Sequence, residues 1–279
     1  MAKASLENIK ALRDRTGAGM LDVKKALEEA DNDLDKALEL IRIKGLKGVS
    51  KREGRDASDG LVVGKVVDAA SGQAGVLVEI ASETDFVAKS DPFVALAARV
   101  LDVAVASEAA DLEALLQADV EGKTLSEFVV ESSATLGEKV EVKKLARIEA
   151  PAVAIYLHSK SQGVPPQLGV LVGTDAAGAG VGRDIATHIS FAAPGYLTEE
   201  DVPADVLASE SRIAEEIARE EGKPEAILSK IVEGRLKGFL KEAVLLNQPF
   251  AKDNKKTISE VLKEAGASVT AFARFSIGS

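Results

Sequence analysis

Apolar positions along the chain begin with a helical period. Leu6, Ile9 and Leu12 recur three apart, the pattern breaks at Thr16-Gly17-Ala18-Gly19, and Met20, Val23, Ala26 and Leu27 then share one face of a second helix. Asp31-Asn32-Asp33 reads as a turn, and Leu34, Leu38 and Ile41 mark a third helix. Three short helices within about 45 residues form a small unit of marginal size.

After residue 55 strands and helices alternate. Residues 61–68 and 75–80 are β-rich and joined by Ala69-Ala70-Ser71-Gly72, a hairpin connection. Asp91 as N-cap and Pro92 at the first helical position open an apolar helix over 93–106. A further helix is expected near 125–134. A strand follows over 139–148, where Val140, Val142, Ala146 and Ile148 alternate with Glu141, Lys143 and Arg147.

From Pro151 the order starts again: a strand at 152–158, its hairpin partner at 168–173, and an apolar helix at 185–192. Gly75-Val76-Leu77-Val78 recurs unchanged as Gly169-Val170-Leu171-Val172, at an offset of 94. The shared string and shared order predict an internal duplication of a strand–strand–helix unit. An insertion interrupts the second copy. A charged helix (205–220), a Gly222-Lys223-Pro224 turn and a second helix (225–244) predict a helical hairpin, with Ile213 and Ile217 facing Leu228, Ile231 and Phe239. A helix to Lys263 and a strand over 269–277 close the chain, the strand carrying Val269, Ala271, Ala273, Phe275 and Ile277 on one face. The expected fold class is α+β. A three-helix domain with a basic linker (1–55) precedes a duplicated core of small antiparallel sheets with helices (56–149 and 150–279), and the helical hairpin lies at about 203–245.

Composition narrows the function. A length of 279 residues suggests roughly two domains. With aromatics at 4% and no Trp, the core must be built from Ala, Val, Leu and Ile. The net charge of −10 argues against general affinity for nucleic-acid backbones or anionic membranes. The absence of cysteine excludes disulfides and thiolate chemistry, and two histidines leave no His-rich metal centre. No run approaches about 18 uncharged apolar residues, the first ten residues lack the apolar stretch of a signal peptide, and the cytoplasm is the expected compartment.

Four stretches invite a chemical reading. Arg42, Lys44, Lys47, Lys51, Arg52 and Arg55, interleaved with Gly45, Gly48 and Gly54, read as a solvated flexible linker; an RNA contact there would rest on charge alone, because no aromatic accompanies them. His158 and His188 read as packing or hydrogen-bonding residues, since no Gly-x-Ser-x-Gly nucleophile pattern lies near them. Residues 173–182 are glycine-rich between a strand and a helix, as in a dinucleotide-dependent enzyme. Their Gly178-x-Gly180-x-Gly182 spacing departs from G-x-G-x-x-G, and a flexible connection is the better account. Finally, Ser82-Glu83 ends a strand, and Thr84-Asp85-Phe86-Val87 precedes the Pro92 helix. This corner is either a capped helix start with a core aromatic or an exposed tip that grips another protein.

Two strings decide between these. Thr16-Gly17-Ala18-Gly19-Met20 followed by Lys24-Lys25-Ala26-Leu27, and Glu83-Thr84-Asp85-Phe86-Val87-Ala88-Lys89, resemble the two signatures of the bacterial elongation factor Ts family. The resemblance continues through Gly222-Lys223-Pro224, Ile231-Val232-Glu233-Gly234-Arg235 and Gln248-Pro249-Phe250, and so covers nearly the whole chain. It implies a guanine-nucleotide exchange factor for elongation factor Tu, with no cofactor, no metal and no nucleotide or nucleic acid bound by the chain itself. It also implies that the three-helix start is like a ubiquitin-associated domain, and that Thr84, Asp85, Phe86 and Val87 dislodge magnesium from the partner GTPase. Arg13, Met20, Leu21, Leu136, Gly137 and His158 match further contact positions. Val23 stands where many relatives have Cys, and the sequence ends at Ser279, where some relatives carry one more helix.

Overall fold

The structure is a computed structural model that describes residues 4–278 apart from 17, 19, 53, 160 and 162, with the backbone alone for 45–51. Gly17 and Gly19 of the first signature, and the side chains of Lys47 and Lys51, therefore lie outside the described residues.

Helices α1 (Leu6–Thr16), α2 (Met20–Glu29) and α3 (Leu34–Arg52) enclose a small core of Leu12, Val23, Ala26, Leu27, Ala37 and Ile41. Asp31 and Asn32 make the turn between α2 and α3 with positive φ (51° and 69°). Leu6 and Met20, expected on the apolar faces, are instead exposed. The stretch read as a linker from Arg42 is helical through Arg52. Its basic side chains are partly engaged: Arg42 donates to Glu131 at 2.8 Å, Arg52 to the Gly137 carbonyl at 3.1 Å, and Arg55 to Glu83 at 3.0 Å.

The first sheet has the order β1-β2-β5, all antiparallel, from β1 (Asp59–Ala69), β2 (Gly72–Ser82) and β5 (Val140–Ala150). Between β2 and β5 come α4 (Asp85–Ala88), α5 (Asp91–Ala106), α6 (Leu112–Gln117), the two-residue strands β3 (Asp119–Val120) and β4 (Lys123–Thr124), and α7 (Leu125–Leu136). The N-cap of α5 is Ser90, whose hydroxyl accepts from the Phe93 amide, so Asp91 falls one residue inside the helix. Val76, Val78, Phe93, Val100, Leu115 and Leu125 are among the residues of the first core.

The second sheet repeats this plan in the order β6-β7-β10, from β6 (Ala152–His158), β7 (Leu168–Thr174) and β10 (Val269–Ser276). After β7 come α8 (Gly182–Ala192), the hairpin helices α9 (Ala204–Glu220) and α10 (Glu225–Ala243), the small ladder of β8 (Pro249–Phe250) and β9 (Asp253–Thr257), and α11 (Ile258–Ala265). The duplication reaches further than the shared quartet. Lys123-Thr124-Leu125-Ser126-Glu127 recurs as Lys256-Thr257-Ile258-Ser259-Glu260, and in both copies Thr and Glu form a capping box on the helix before the closing strand. In the hairpin Ala214, Ala218 and Leu228 are buried, while Ile213 and Ile217 are partly exposed and line, with Phe239, a groove between α9 and α10. Alanine lets the two helices approach more closely than isoleucine would.

Each closing strand carries one extra residue, Lys143 in β5 and Thr270 in β10, where the register slips. A bulge reverses which face later side chains take. Val140, Val142 and Leu145 therefore face the first core, while Ala146 and Ile148 face the second sheet. Likewise Val269 and Phe272 face the second core, while Ala271, Ala273 and Phe275 turn the other way. The single-face alternation expected over 139–148 and 269–277 therefore holds only on one side of each bulge.

The two sheets pack back to back through Val62, Leu77, Ile148 and Leu171. The repeated quartets serve this contact symmetrically. A Cβ on Gly75 would lie 2.9 Å from Leu171 Cδ2, and one on Gly169 would lie 2.7 Å from Leu77 Cδ1. Glycine in each copy makes room for the leucine of the other.

Candidate functional site

The corner between β2 and α5 is built from its ends inward. Ser82 is buried, and its hydroxyl donates to the Thr84 carbonyl at 3.0 Å. Thr84 is extended (φ −131°, ψ 153°) and caps α4, its hydroxyl accepting from the Val87 amide. Ser90 Oγ closes the turn by donating to the Val87 carbonyl at 2.8 Å. Val87 packs against the first core and Ala88 is buried within it, which leaves Asp85, Phe86 and Lys89 on the outer side of this single turn. Phe86 is 87% exposed, while Phe93, seven residues on, is fully buried. The core aromatic of this region is Phe93, and the reading of Phe86 as a packing residue is overturned.

Asp85 pairs with Lys89 at 2.5 Å, and this hydrogen bond and charge hold its pKa below the ordinary aspartate value. The corner is tied sideways to the turn after α7. There Gly137 ends the helix with φ 79°, a left-handed conformation that glycine adopts without strain. Glu138, next in line, accepts from the Thr84 amide at 3.0 Å and the Thr84 hydroxyl at 2.7 Å. In the reverse direction Glu83 accepts from the Lys139 amide at 2.7 Å and from Arg55. Burial opposes the Glu83 charge, but the Lys139 amide and the Arg55 guanidinium outweigh it and keep its pKa below the usual glutamate value. Sequence reasoning gave Glu138 no role; its only signal was its place directly after Leu136-Gly137.

The other expected contact residues fall in three places. Leu136 and Gly137 border the same turn, and with Ala18, Asp22, Lys25, Ile41 and Arg52 they line a cleft of about 420 Å³ between the helical unit and the core. Met20 and Leu21 stand exposed side by side at the start of α2, 59% and 72% accessible, and Arg13 is exposed on α1. His158 lies apart, exposed at the end of edge strand β6, its Nδ1 3.0 Å from the Tyr156 hydroxyl.

The competing sites take structural roles. Asp175 accepts from the Gly178 amide at 2.9 Å and from the Ser268 amide and hydroxyl at 2.8 and 2.6 Å. The glycine-rich loop is thereby stapled to the start of β10, and a Cβ on Gly178 would fall 2.4 Å from that of Thr174. His188 is buried, with Nε2 2.8 Å from Gln248 Oε1, and burial pushes its pKa down. Among the described residues no cluster of His, Asp and Glu is arranged to hold a metal ion, and no helix is long and apolar enough to cross a membrane.

Comparison with known proteins identifies the family. The family profile described as elongation factor TS matches residues 83–279, beginning at the corner itself. Over the full length of both chains, the sequence is 58% identical to the elongation factor Ts of Beutenbergia cavernae and 57% identical to that of Paenarthrobacter aurescens. It is 54% identical to that of Kineococcus radiotolerans, again over the whole of both chains. The chain belongs to the elongation factor Ts family, whose role in translation elongation is nucleotide exchange through protein binding, without covalent chemistry.

Proposed function

We propose that the protein binds elongation factor Tu carrying GDP, in the cytoplasm, and that the Thr84–Val87 corner disturbs the magnesium and phosphate site so that GDP leaves. The observation that carries this reading is the exposure of Phe86 on a turn whose backbone is bonded at both ends. Leaving a phenylalanine in water forgoes about 1.5–3 kcal/mol that burial would supply. A complex that buries Phe86 recovers that energy at the partner's surface. Magnesium demands near-octahedral oxygen ligands at about 2.0–2.1 Å, so a bulky apolar wedge that shifts one supporting element is enough to weaken it. Asp85 is already paired with Lys89, which leaves Phe86 as the main wedge and Asp85 as a secondary charge near the phosphates.

Met20 and Leu21 suit a separate grip on the partner, with Arg13, Leu136, Gly137 and His158 as further contacts. Exchange needs only reciprocal coupling: if the factor weakens GDP binding, GDP weakens factor binding by the same amount, and incoming nucleotide then releases the factor. The test is the release of fluorescent GDP from elongation factor Tu. Wild type should accelerate release, and Phe86→Ala should lower the rate at saturating factor at least tenfold while binding is largely retained. An unchanged rate in Phe86→Ala moves the wedge elsewhere, and no acceleration by wild type sinks the reading. Labelled nucleotides mixed with the protein alone should show no binding; retention of one would favour the dinucleotide reading of residues 173–182.

A further inference from the structure

We infer that Glu138 is a positioning residue for exchange: its carboxylate holds the Thr84–Val87 corner in the conformation that presents Phe86. The inference rests on the reading of that corner as the wedge, and its geometry stands independently of the partner. Four residues form a crossed clamp. Glu138 reaches from the α7–β5 turn to the amide and hydroxyl of Thr84, and Glu83 reaches back from the corner to the amide of Lys139. The far side is anchored as well, because Ser133 Oγ donates to the Glu138 carbonyl at 2.5 Å and Lys139 Nζ donates to the Arg55 carbonyl at 3.1 Å.

The corner needs such a brace. Helix α4 is a single turn of four residues, and an isolated turn of that length is far below the length at which a helix stands alone in water. Its hydroxyl cap is long, 3.4 Å from Thr84 Oγ1 to the Val87 amide, so the cap by itself is weak. Glu138 fixes the Thr84 hydroxyl by accepting its hydrogen bond, which leaves a lone pair of that oxygen toward Val87. The same carboxylate takes the Thr84 amide, one of the donors that a helix start leaves without a partner. A wedge works only if its backbone does not yield when the aromatic ring meets resistance. Glu138 supplies that stiffness without itself being the group that meets the partner's magnesium site.

The experiment compares Glu138→Ala with Glu138→Gln in two measurements. Glutamine keeps one oxygen for the Thr84 amide and turns the second bond round: its N–H donates to one lone pair of the Thr84 hydroxyl and the Val87 amide takes the other, so both links survive without the charge. In the free protein, amide hydrogen exchange at residues 84–88 should rise about tenfold in Glu138→Ala, the scale of one charged hydrogen bond, and stay near wild type in Glu138→Gln. Exchange in α5 should not change in either variant. In GDP release from elongation factor Tu, Glu138→Ala should lower the saturating rate several-fold with the half-saturating concentration unchanged, and Glu138→Gln should restore it. Unaltered hydrogen exchange in Glu138→Ala overturns the clamp whatever the partner does. Faster hydrogen exchange with an unchanged saturating rate, or with only the half-saturating concentration raised, overturns its role in exchange. If wild type itself fails to release GDP, the function reading falls, and the hydrogen-exchange comparison alone then decides whether the clamp exists.

Discussion

Phe86 and Asp85 are neighbours on one turn, and on the proposed reading they do unequal work. The Asp85–Lys89 pair is exposed on both sides, where water and salt screen such a pair and leave it little net strength. Asp85→Asn should therefore change the saturating rate of GDP release by less than about fivefold, well below the loss expected for Phe86→Ala, and stopped-flow release with both variants checks the order. A second residue-scale consequence concerns Gly169. A methyl there would sit 2.6 Å from Val62 Cγ1 and 2.7 Å from Leu77 Cδ1, both fully buried in the seam between the sheets. Gly169→Ala should destabilise the protein by about 1–3 kcal/mol despite alanine's smaller backbone entropy loss, read as a lower urea midpoint. The repeat is legible in the sequence through its Gly-Val-Leu-Val string, whereas the packing role of the two glycines shows only once the sheets are stacked. The direction of Phe86 was not legible, since one helical turn offers too few positions to show a periodicity.

At the scale of elements, the errors of the sequence reading share a cause: the information lay in a neighbouring element. The 42–52 stretch has the glycines and charges of a linker, yet it completes a helix, and Arg42 and Arg52 find partners on α7 and at its end. The bulges at Lys143 and Thr270 show in the sequence only as breaks in alternation, at Lys144-Leu145 and at Phe272, and it is the pairing with β2 and β7 that turns those breaks into a change of face. The second repeated string, Lys-Thr-Leu/Ile-Ser-Glu, was present in the sequence, but the hairpin insertion displaces it from the offset of the first, so a search at one period passes over it. The same inter-element ties set the acid response. Hydrogen bonding to Lys123 outweighs burial to lower the Glu131 pKa, and the Lys139 amide with Arg55 lowers that of Glu83, from a reference value of 4.5. A depressed folded-state pKa gives stability that is present above about 4.5 and lost as pH falls through the lowered value. Thermal unfolding between pH 6 and 3 should show a steeper loss of stability in wild type than in Glu83→Gln.

For the whole molecule, the proposed grip and the proposed lever lie on separate units, which the proposal requires to be held in one frame. Met20 and Leu21 project from the helical unit and Phe86 projects from the duplicated core, and Glu131 on α7 is one of the ties between the two. Its two oxygens accept from Arg42 on α3 at 2.8 Å and from Lys123 at 2.5 Å, so one carboxylate joins the helical unit to the core. Glu131→Lys would set three cations against one another at that junction while leaving the clamp at Thr84 untouched. In solution scattering this variant should have a larger radius of gyration than wild type, with the melting of the duplicated core little changed. Its effect on exchange should be the converse of Glu138→Ala: a raised half-saturating concentration, because the two contacts no longer arrive together, with the saturating rate near wild type. A matching fall in the saturating rate would mean that the helical unit takes part in dislodging magnesium, and the separation of grip from leverage would then fail.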